Sequence, residues 1–291
     1  HDHHHSTENI AVAFLLDLSF TVIEAIGGLL TNSMAILSDA VHDLGDSISL
    51  GLAWYFDKLA QRRPNARYTY GYRRFSLLGA LINCFILLAG SAWVLYESIG
   101  RLLDPQEVNA TGMLWLAVLG VVVNGAAALK TGLGHKEGRG VNERVVSLHL
   151  LEDVLGWLAV LVVSVVMHFV ELPILDPLLS LGISIFILIN VFRNLRSAFR
   201  VILQGVPEEM EVEEIRAMVE GTDGVESLHD LHLWSLDSQY TVASMHVVTT
   251  RWEPAQLLSL KQTLKSALAE KGIPHATIEF ESPEEHCNPC N

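Results

Sequence analysis

The sequence is poor in cysteine, in charged residues and in basic residues, and each shortage excludes a class of protein. Three cysteines in 291 residues are too few for a disulfide framework, which favours metal binding in a reducing compartment. Only 18% of the residues are charged and 50% are hydrophobic, a composition too apolar for an ordinary soluble protein. The 33 acidic residues outnumber the 19 basic ones. This balance argues against nucleic acid as a partner and is compatible with cations.

Two signals of processing and catalysis are also missing. The first residues contain no basic region, so no cleavable signal peptide is expected. No H-E-x-x-H motif occurs, so a hydrolytic zinc site with a glutamate base is not indicated. We therefore do not expect an enzyme.

Long apolar segments are what the sequence has in abundance. About 20 apolar residues suffice for a helix to cross the hydrocarbon core of a membrane, and six such segments occur. They are residues 11–30, 34–56, 75–99, 113–129, 145–170 and 173–192. Every Lys and Arg before residue 205 except Arg101 lies in the loops after the second and fourth segments or after the sixth. Under the positive-inside rule, we expect a six-span all-α domain over 10–205 with both termini cytoplasmic.

Residues 206–291 are predicted to form a separate cytoplasmic domain. Helical spacing at 208–220 and 254–271, and strand-like alternation at 225–236, 240–249 and 275–280, give the order αββαβ. A hairpin turn is expected at 237–239. This order indicates a small α+β domain with its helices on one face of a sheet.

Two of the apolar segments contain the same pair of metal-binding side chains. His42 and Asp46 lie four residues apart in the second segment, as do His149 and Asp153 in the fifth. Residues at i and i+4 share one helix face, and an ionisable residue inside a span costs at least ~2.5 kcal/mol and usually has a function. Two imidazoles and two carboxylates suit a four-coordinate Zn²⁺ site. The four residues are therefore predicted to form one intramembrane metal site.

The neighbouring residues leave alternatives open. Asp39 and Asp43 fall within about 100° of the same helix face, so either could bind the ion or orient an imidazole. A single His–Asp pair could also be a structural contact between helices. The repetition of the pair in two segments makes that interpretation the weaker one.

The C-terminal domain contains a second group of metal-binding residues. Three histidines, a glutamate and a C-x-x-C motif make up this group: His232, His246, His275, Glu281, Cys287 and Cys290. Thiolates and imidazoles together suit Zn²⁺. An ordinary position on the sheet surface is the alternative for His246 and for the nearby His229. Residues 1–9 form a His-rich tail, whose His1 to His5 tract is either a tag remnant or a metal-capturing segment.

At these residues the sequence resembles the cation diffusion facilitator family, which includes zinc transporters of vertebrates and zinc, cobalt and cadmium efflux proteins of bacteria. The resemblance extends over nearly the whole chain. Besides the two His–Asp pairs it rests on Ser38-Asp39-Ala40-Val41-His42, Tyr70-Gly71-Tyr72-Arg73-Arg74, Asp176-Pro177, Leu203-Gln204-Gly205-Val206-Pro207 and His229-Asp230-Leu231-His232-Leu233-Trp234.

The resemblance implies a homodimer in the lipid of a bacterial cell membrane, with six spans and a cytoplasmic ferredoxin-like domain in each protomer. It implies Zn²⁺/H⁺ antiport by alternating access, and a regulatory zinc site at the C-terminal residues completed by a His-containing N-terminal segment. Cd²⁺, Co²⁺ or Fe²⁺ as the main cargo, and a membrane zinc sensor that binds without transport, stay open as alternatives. His42 and His149 are the expected carriers of counter-protons, because imidazole titrates near physiological pH and must be neutral to bind metal.

Two departures from the family pattern limit what the resemblance implies. Some relatives have a second metal site in the loop after the second span, but residues 58–74 contain no histidine, so that site is predicted to be absent. The loop 132–140 contains His135 alone, so delivery of metal by a His-rich loop is not expected.

Overall fold

The described residues form six long helices followed by a small domain of two helices and three strands. The structure is a computed structural model and describes residues 3–60, 62–132, 141–237 and 240–285, with the side chains of 3–14, 16, 53, 57, 60, 130–132 and 141–150 outside this description. The elements are α1 (His3–Thr31), α2 (Met34–Ala60), α3 (Phe75–Leu103), α4 (Ala110–Gly132), α5 (Val141–Phe169), α6 (Leu175–Ile202), α7 (Val212–Glu220), β1 (Ser227–Ser235), β2 (Thr241–Val248), α8 (Pro254–Glu270) and β3 (His275–Glu281).

Each of the six apolar segments of the sequence corresponds to one of the long helices. Within the described residues, four helices are long and apolar enough to cross a membrane: Phe75–Leu103, Ala110–Leu129, Leu151–Phe169 and Leu175–Ile202. α2 is not among them because Asp39, Asp43 and Asp46 interrupt its apolar stretch. A helical membrane domain is therefore established, and the crossing of the membrane by α1 and α2 stays a prediction.

The Cα positions divide the chain into two units. The first contains residues 1–55 and 81–194, which includes most of α1 to α6. The second contains residues 56–80 and 195–291, which adds the loop between α2 and α3 to the C-terminal domain. In this second unit Arg73 contacts the β1–β2 hairpin, with its guanidinium 3.5 Å from Asp237 Oδ2 and 4.4 Å from the centre of the Tyr240 ring.

In the first unit, a carboxylate from α6 caps the start of α2. Asp176 accepts hydrogen bonds from Ser33 Oγ at 2.5 Å, from the Met34 N–H at 2.7 Å and from the Ala35 N–H at 3.2 Å. The first N–H groups of a helix have no partner within the helix, and negative charge there also interacts favourably with the helix dipole. Asp176 is completely buried. This contact therefore fixes the start of α2, the helix of the first His–Asp pair, against α6.

A glycine allows α4 and α5 to pack closely. A Cβ atom at Gly120 would lie 2.1 Å from Cδ2 of Trp157 and 2.4 Å from its Cε3. Trp157 is 1% exposed and belongs to a buried cluster with Met113, Ala117 and Val160. The indole of α5 thus lies directly on the backbone of α4, and this packing positions the helix that carries Asp153.

Substitution of Gly120 by alanine is expected to destabilise this packing. The added methyl group collides with a large buried ring, and such overpacking costs about 1–3 kcal/mol. We expect a lower Tm of the detergent-solubilised protein. Gly125→Ala is the matched control on the same helix, because a Cβ there meets nothing within 4 Å. An equal fall of the Tm in both variants would contradict the packing argument.

The second unit contains a three-stranded sheet in the order β1-β2-β3. β1 and β2 are antiparallel, whereas β2 and β3 are parallel and are connected through α8. Ile215 of α7 and Leu264 of α8 pack with Met245 in the buried core on one face of the sheet. The observed order is αββαβ, as predicted, while residues 238 and 239 of the expected turn lie outside the described residues.

A β-bulge in β1 changes the register of this hairpin. Next to the turn, Ser235 pairs with Thr241. Continued without a shift for five residues along each strand, this register would pair Asp230 with His246. The register shifts before that point, and His229 lies opposite His246 instead. Asp230 has a φ of 50°, a left-handed conformation that Asp adopts more readily than most residues, and a bulge re-aims the side chains around it. The bulge thereby places two imidazoles side by side.

Candidate metal centres

The first predicted metal site lies where α2 and α5 approach each other within the first unit. His42 Nε2 is 3.7 Å from Asp46 Oδ2 on the same helix and 4.0 Å from Asp153 Oδ1 on α5. The side chains of His42, Asp46 and Asp153 are 20%, 27% and 13% exposed. The structure therefore places three of the four predicted residues near one another in a largely buried position, with His42 next to both aspartates.

The fourth predicted residue is His149. It lies on α5 four residues before Asp153, the spacing at which two side chains share one helix face. Its side chain lies outside the described residues, so its place in the site stays a prediction.

The donor atoms are spaced more widely than the ligands of a bound Zn²⁺ ion. Two ligands at ~2.0–2.2 Å from a tetrahedral Zn²⁺ lie about 3.3–3.6 Å from each other. The observed separations of 3.7 and 4.0 Å exceed this value, and one ligand atom from each of His42, Asp46 and Asp153 does not fall within 4.8 Å of the other two. Binding of one divalent ion by this imidazole and these two carboxylates therefore requires the three side chains to move closer together.

Asp39 and Asp43, the other two aspartates next to His42 on α2, lie close to a carboxylate of α1. They are 5% and 9% exposed. One carboxylate oxygen of each lies within 4.8 Å of the other and of a carboxylate oxygen of Glu24 on α1. The sequence did not single out Glu24 as a partner for these two residues.

The second metal-binding group lies on the sheet of the second unit. One ligand atom from each of His229, His246 and Glu281 falls within 4.8 Å of the other two. His246 Nδ1 is 2.6 Å from Glu281 Oε1, and His229 Nε2 is 3.0 Å from Glu281 Oε2. The two imidazole rings are 5.3 Å apart. Two imidazoles and a buried carboxylate form a donor set that suits Zn²⁺.

The contact between His229 and Glu281 indicates that both side chains point at a common third position. Although their atoms approach to 3.0 Å, His229 Nε2 and Glu281 Oε2 are buried and make no hydrogen bond of good geometry with any described residue. Buried polar atoms normally have a partner. A metal ion bound by both atoms would satisfy them, which makes this cluster fit the predicted metal.

The other sequence-predicted residues lie elsewhere or outside the described residues. His232 is 59% exposed, and its Nε2 is 2.9 Å from Asp230 Oδ1. His275 pairs with Val242, and its ring contacts Tyr70 at 5.9 Å. Cys287, Cys290 and residues 1–2 lie outside the described residues, as do the side chains of His3, His4 and His5.

His229 is a ligand candidate that the sequence analysis did not include in the predicted site and treated only as a residue of the sheet surface. Simple alternation along β1 counted from the turn pairs Asp230 with His246, so His229 is expected on the opposite face. The local signal for the bulge is weak, because it consists of one aspartate in an otherwise regular strand. Asp230 and Glu279 also lie near His246, at 3.6 and 3.5 Å from its Nε2.

Long apolar helices with an interior His–carboxylate site, and a sheet domain with a second His–carboxylate cluster, define a membrane protein that handles metal cations. The family models named "Cation efflux transmembrane domain" and "Cation efflux protein, cytoplasmic domain" match residues 10–203 and 207–282. The chain belongs to the cation efflux family. This confirms the resemblance inferred from the motifs and makes the chain an integral membrane protein of a transporter family.

Three bacterial relatives match almost the whole chain. The "Cadmium, cobalt and zinc/H(+)-K(+) antiporter" of Bacillus subtilis is 34% identical, with 97% of this chain and 92% of the relative covered. The "Metal cation efflux system protein CzcD" of Cupriavidus metallidurans is 32% identical, with 97% and 89% covered. The "Zinc transporter ZitB" of Pectobacterium atrosepticum is 32% identical, with 99% and 92% covered.

One solved structure is similar to a quarter of the chain. It is titled "Metal-bound C-terminal domain of the CzcD transporter from Cuprividus metallidurans", is 37% identical, and covers 25% of this chain and 99% of its own. At a TM-score of 0.23, the overlap does not establish a shared fold.

Proposed function

We propose that the protein is a proton-coupled antiporter that exports Zn²⁺ from the cytoplasm by alternating access. The observation that carries this proposal is the proximity of His42 on α2 to Asp46 on the same helix and to Asp153 on α5. Ionisable residues at such a position usually mark an ion pathway. Metal transport is also what the names of the relatives describe.

The proposed arrangement is a homodimer with six spans per protomer. Both termini and the ferredoxin-like domain, residues 206–291, lie in the cytoplasm of a bacterial cell. The basic loops on one side of the helices support this orientation. The αββαβ order with helices on one face supports the domain assignment. The cytoplasmic domain, residues 207–282, is the proposed contact between the two protomers.

The coupling follows from the chemistry of the ligands. Zn²⁺ binds to neutral imidazole and ionised carboxylate, so protonation of these groups and metal binding exclude each other. Two aspartates balance the charge of one Zn²⁺, and His42 with the predicted His149 is the proposed carrier of protons on the return step. The site then alternates between a metal-loaded and a protonated state, which is what antiport requires.

Zinc flux into proteoliposomes with an acidic lumen tests the proposal. Proton efflux should drive Zn²⁺ accumulation, and an ionophore that dissipates the pH difference should abolish it. Stoichiometric Zn²⁺ binding without flux would instead identify a membrane sensor. Because one relative is named for cadmium, cobalt and zinc, Cd²⁺ and Co²⁺ are the alternative cargoes, and competition with Zn²⁺ measures their rank.

The sheet cluster is proposed to hold a regulatory Zn²⁺ through His229, His246 and Glu281. The tail with Cys287 and Cys290 and the N-terminal tract of histidines are the proposed completing segments. Ion binding at this cluster would favour one of two conformations and so bias transport.

Substitution of His246 by alanine is expected to remove Zn²⁺ from this cluster. His246 contacts Glu281 directly, and loss of an imidazole ligand should weaken binding at least ~10-fold, as even outer partners of ligands cost 10–100-fold. Isothermal titration of the full chain should show one weaker Zn²⁺ step per chain. His275→Ala is the comparison, because His275 lies four residues further along the sheet register, about 13 Å away. An equal loss in both variants would argue against the observed cluster.

A further inference from the structure

A second, separate group of carboxylates is buried between α1 and α2. Glu24 is 1% exposed, Asp39 5% and Asp43 9%. One carboxylate oxygen of each residue lies within 4.8 Å of the other two. Asp39 and Asp43 are four residues apart on one face of α2, and Glu24 reaches them from the facing helix. Three potential negative charges thus meet at one point inside the helical unit.

Among the described residues, no basic side chain balances the charge of this group. Both oxygens of Glu24 and one oxygen of Asp39 are buried and have no hydrogen-bond donor of good geometry among the described residues. Asp43 lies within hydrogen-bond reach of Glu24, but two carboxylates can form such a bond only by sharing a proton. No Lys or Arg precedes residue 58 in the sequence. None of the ion pairs found among the described residues includes Glu24, Asp39 or Asp43. Buried carboxylates are normally paired, hydrogen-bonded or bound to a metal.

The donor set of this group differs from that of the His–Asp site. Its donors are oxygens only, which suit hard cations such as Mn²⁺, Mg²⁺ and Ca²⁺ better than they suit Zn²⁺. An ion midway between three oxygens separated by at most 4.8 Å lies no more than about 2.8 Å from each of them, near the ~2.3–2.6 Å of Ca²⁺–oxygen bonds. Three carboxylates also attract a divalent ion more strongly than a monovalent one.

We propose that Glu24, Asp39 and Asp43 form a second cation site, which binds a hard divalent cation through oxygen alone and ties α1 to α2. The site goes beyond the proposed transport of Zn²⁺ because it takes a different class of ion on different residues. From the sequence, Asp39 and Asp43 could either bind the ion of the His–Asp site or orient one of its imidazoles. The proposal instead places both with Glu24 of α1, as ligands of a different ion.

Mn²⁺ binding, followed by electron paramagnetic resonance on the full-length detergent-solubilised protein, tests this site. Ca²⁺ should displace one Mn²⁺ per chain, and an equal concentration of K⁺ should not. Glu24→Gln should abolish this Ca²⁺-displaceable Mn²⁺, and His42→Ala should retain it. Cd²⁺ binding at the His–Asp site should persist in Glu24→Gln, which shows that this variant is folded. Asp39→Asn provides a second variant if Glu24→Gln does not fold.

Several outcomes would overturn the proposal. Ca²⁺-displaceable Mn²⁺ that is absent from the unmodified protein, or that persists in both carboxylate variants, shows that these residues hold no such ion. Loss of the ion in His42→Ala assigns it to the His–Asp site, and displacement by K⁺ as readily as by Ca²⁺ contradicts a divalent site. These readouts measure binding and not flux, so they separate failure of this site from failure of the transport proposal.

Discussion

Replacement of Asp153 by alanine abolishes proton-driven zinc flux if the His–Asp site is the transport site. Asp153 is the described ligand candidate on α5, and its carboxylate lies 4.0 Å from His42 Nε2. Without Asp153, one carboxylate remains to balance the charge of the ion. The site also loses the α5 side chain that lies near His42. Mutation of the outer partners of metal ligands already costs 10–100-fold in affinity. We therefore expect the initial rate of flux into acidic-lumen proteoliposomes to fall by roughly 100-fold or more.

The preceding residue offers a matched control for this experiment. Glu152 is also a carboxylate on α5, but it is exposed, whereas Asp153 is largely buried. One residue on a helix rotates the side chain by about 100°, so Glu152 points away from the site. Glu152→Ala should transport at a rate near that of the unmodified protein. Undiminished flux in Asp153→Ala would refute the assignment of the site.

Replacement of Asp176 by alanine should give the largest loss of stability among the substitutions considered. Asp176 is completely buried and accepts hydrogen bonds from Ser33, Met34 and Ala35. Loss of a helix cap costs about 0.5–2 kcal/mol, and each buried donor left without a partner about 1–3 kcal/mol. The cap and the three donors describe the same hydrogen bonds, so we count only the donors, each at the low end of its range. The resulting total of about 3 kcal/mol would lower the Tm by roughly 6–12 °C for a unit of this size.

This substitution should also weaken metal binding, although the described hydrogen bonds of Asp176 are to Ser33, Met34 and Ala35 and not to a predicted ligand. The cap fixes the beginning of α2, and the same helix carries His42 and Asp46. Asp176→Asn keeps one carbonyl acceptor, so its Tm should lie between those of Asp176→Ala and the unmodified protein. Glu171→Ala removes an exposed carboxylate and should leave the Tm unchanged. Differential scanning fluorimetry with and without Cd²⁺ measures both effects. An unchanged Tm in Asp176→Ala would show that the cap is not needed.

Most of the helical architecture was predictable because it depends on local properties of the chain. An apolar stretch of about 20 residues predicts a helix whatever its neighbours are, and each of the six predicted segments corresponds to one of the long helices. The helix starts and ends differ by several residues, as for α6, which continues to Ile202 through its arginine-containing end. Polar residues there no longer fit the apolar pattern, although they still fit the helix.

The pairing of Glu24 with α2 was not predictable in the same way. The first apolar segment contains two carboxylates, Asp17 and Glu24, which lie seven residues apart and therefore about two helical turns from each other. Asp39 and Asp43, the neighbours of Glu24, lie on the next helix, and the relative rotation of two helices depends on packing along their whole length. The sequence could therefore identify the charges but not the group that they form.

The sequence by itself determined that His42 shares a helix face with Asp46, and His149 with Asp153, because the spacing of four residues is a property of any α-helix. Only the tertiary structure decided that the face of α2 meets Asp153 of α5. In the sheet it decided that His229, rather than His232 or His275, lies with His246 and Glu281. The physical reason is that a bulge of one residue shifts the register of a strand pair and moves side chains to the other face. Helix spacing is local, whereas strand register and helix rotation are set by the packing of the whole unit.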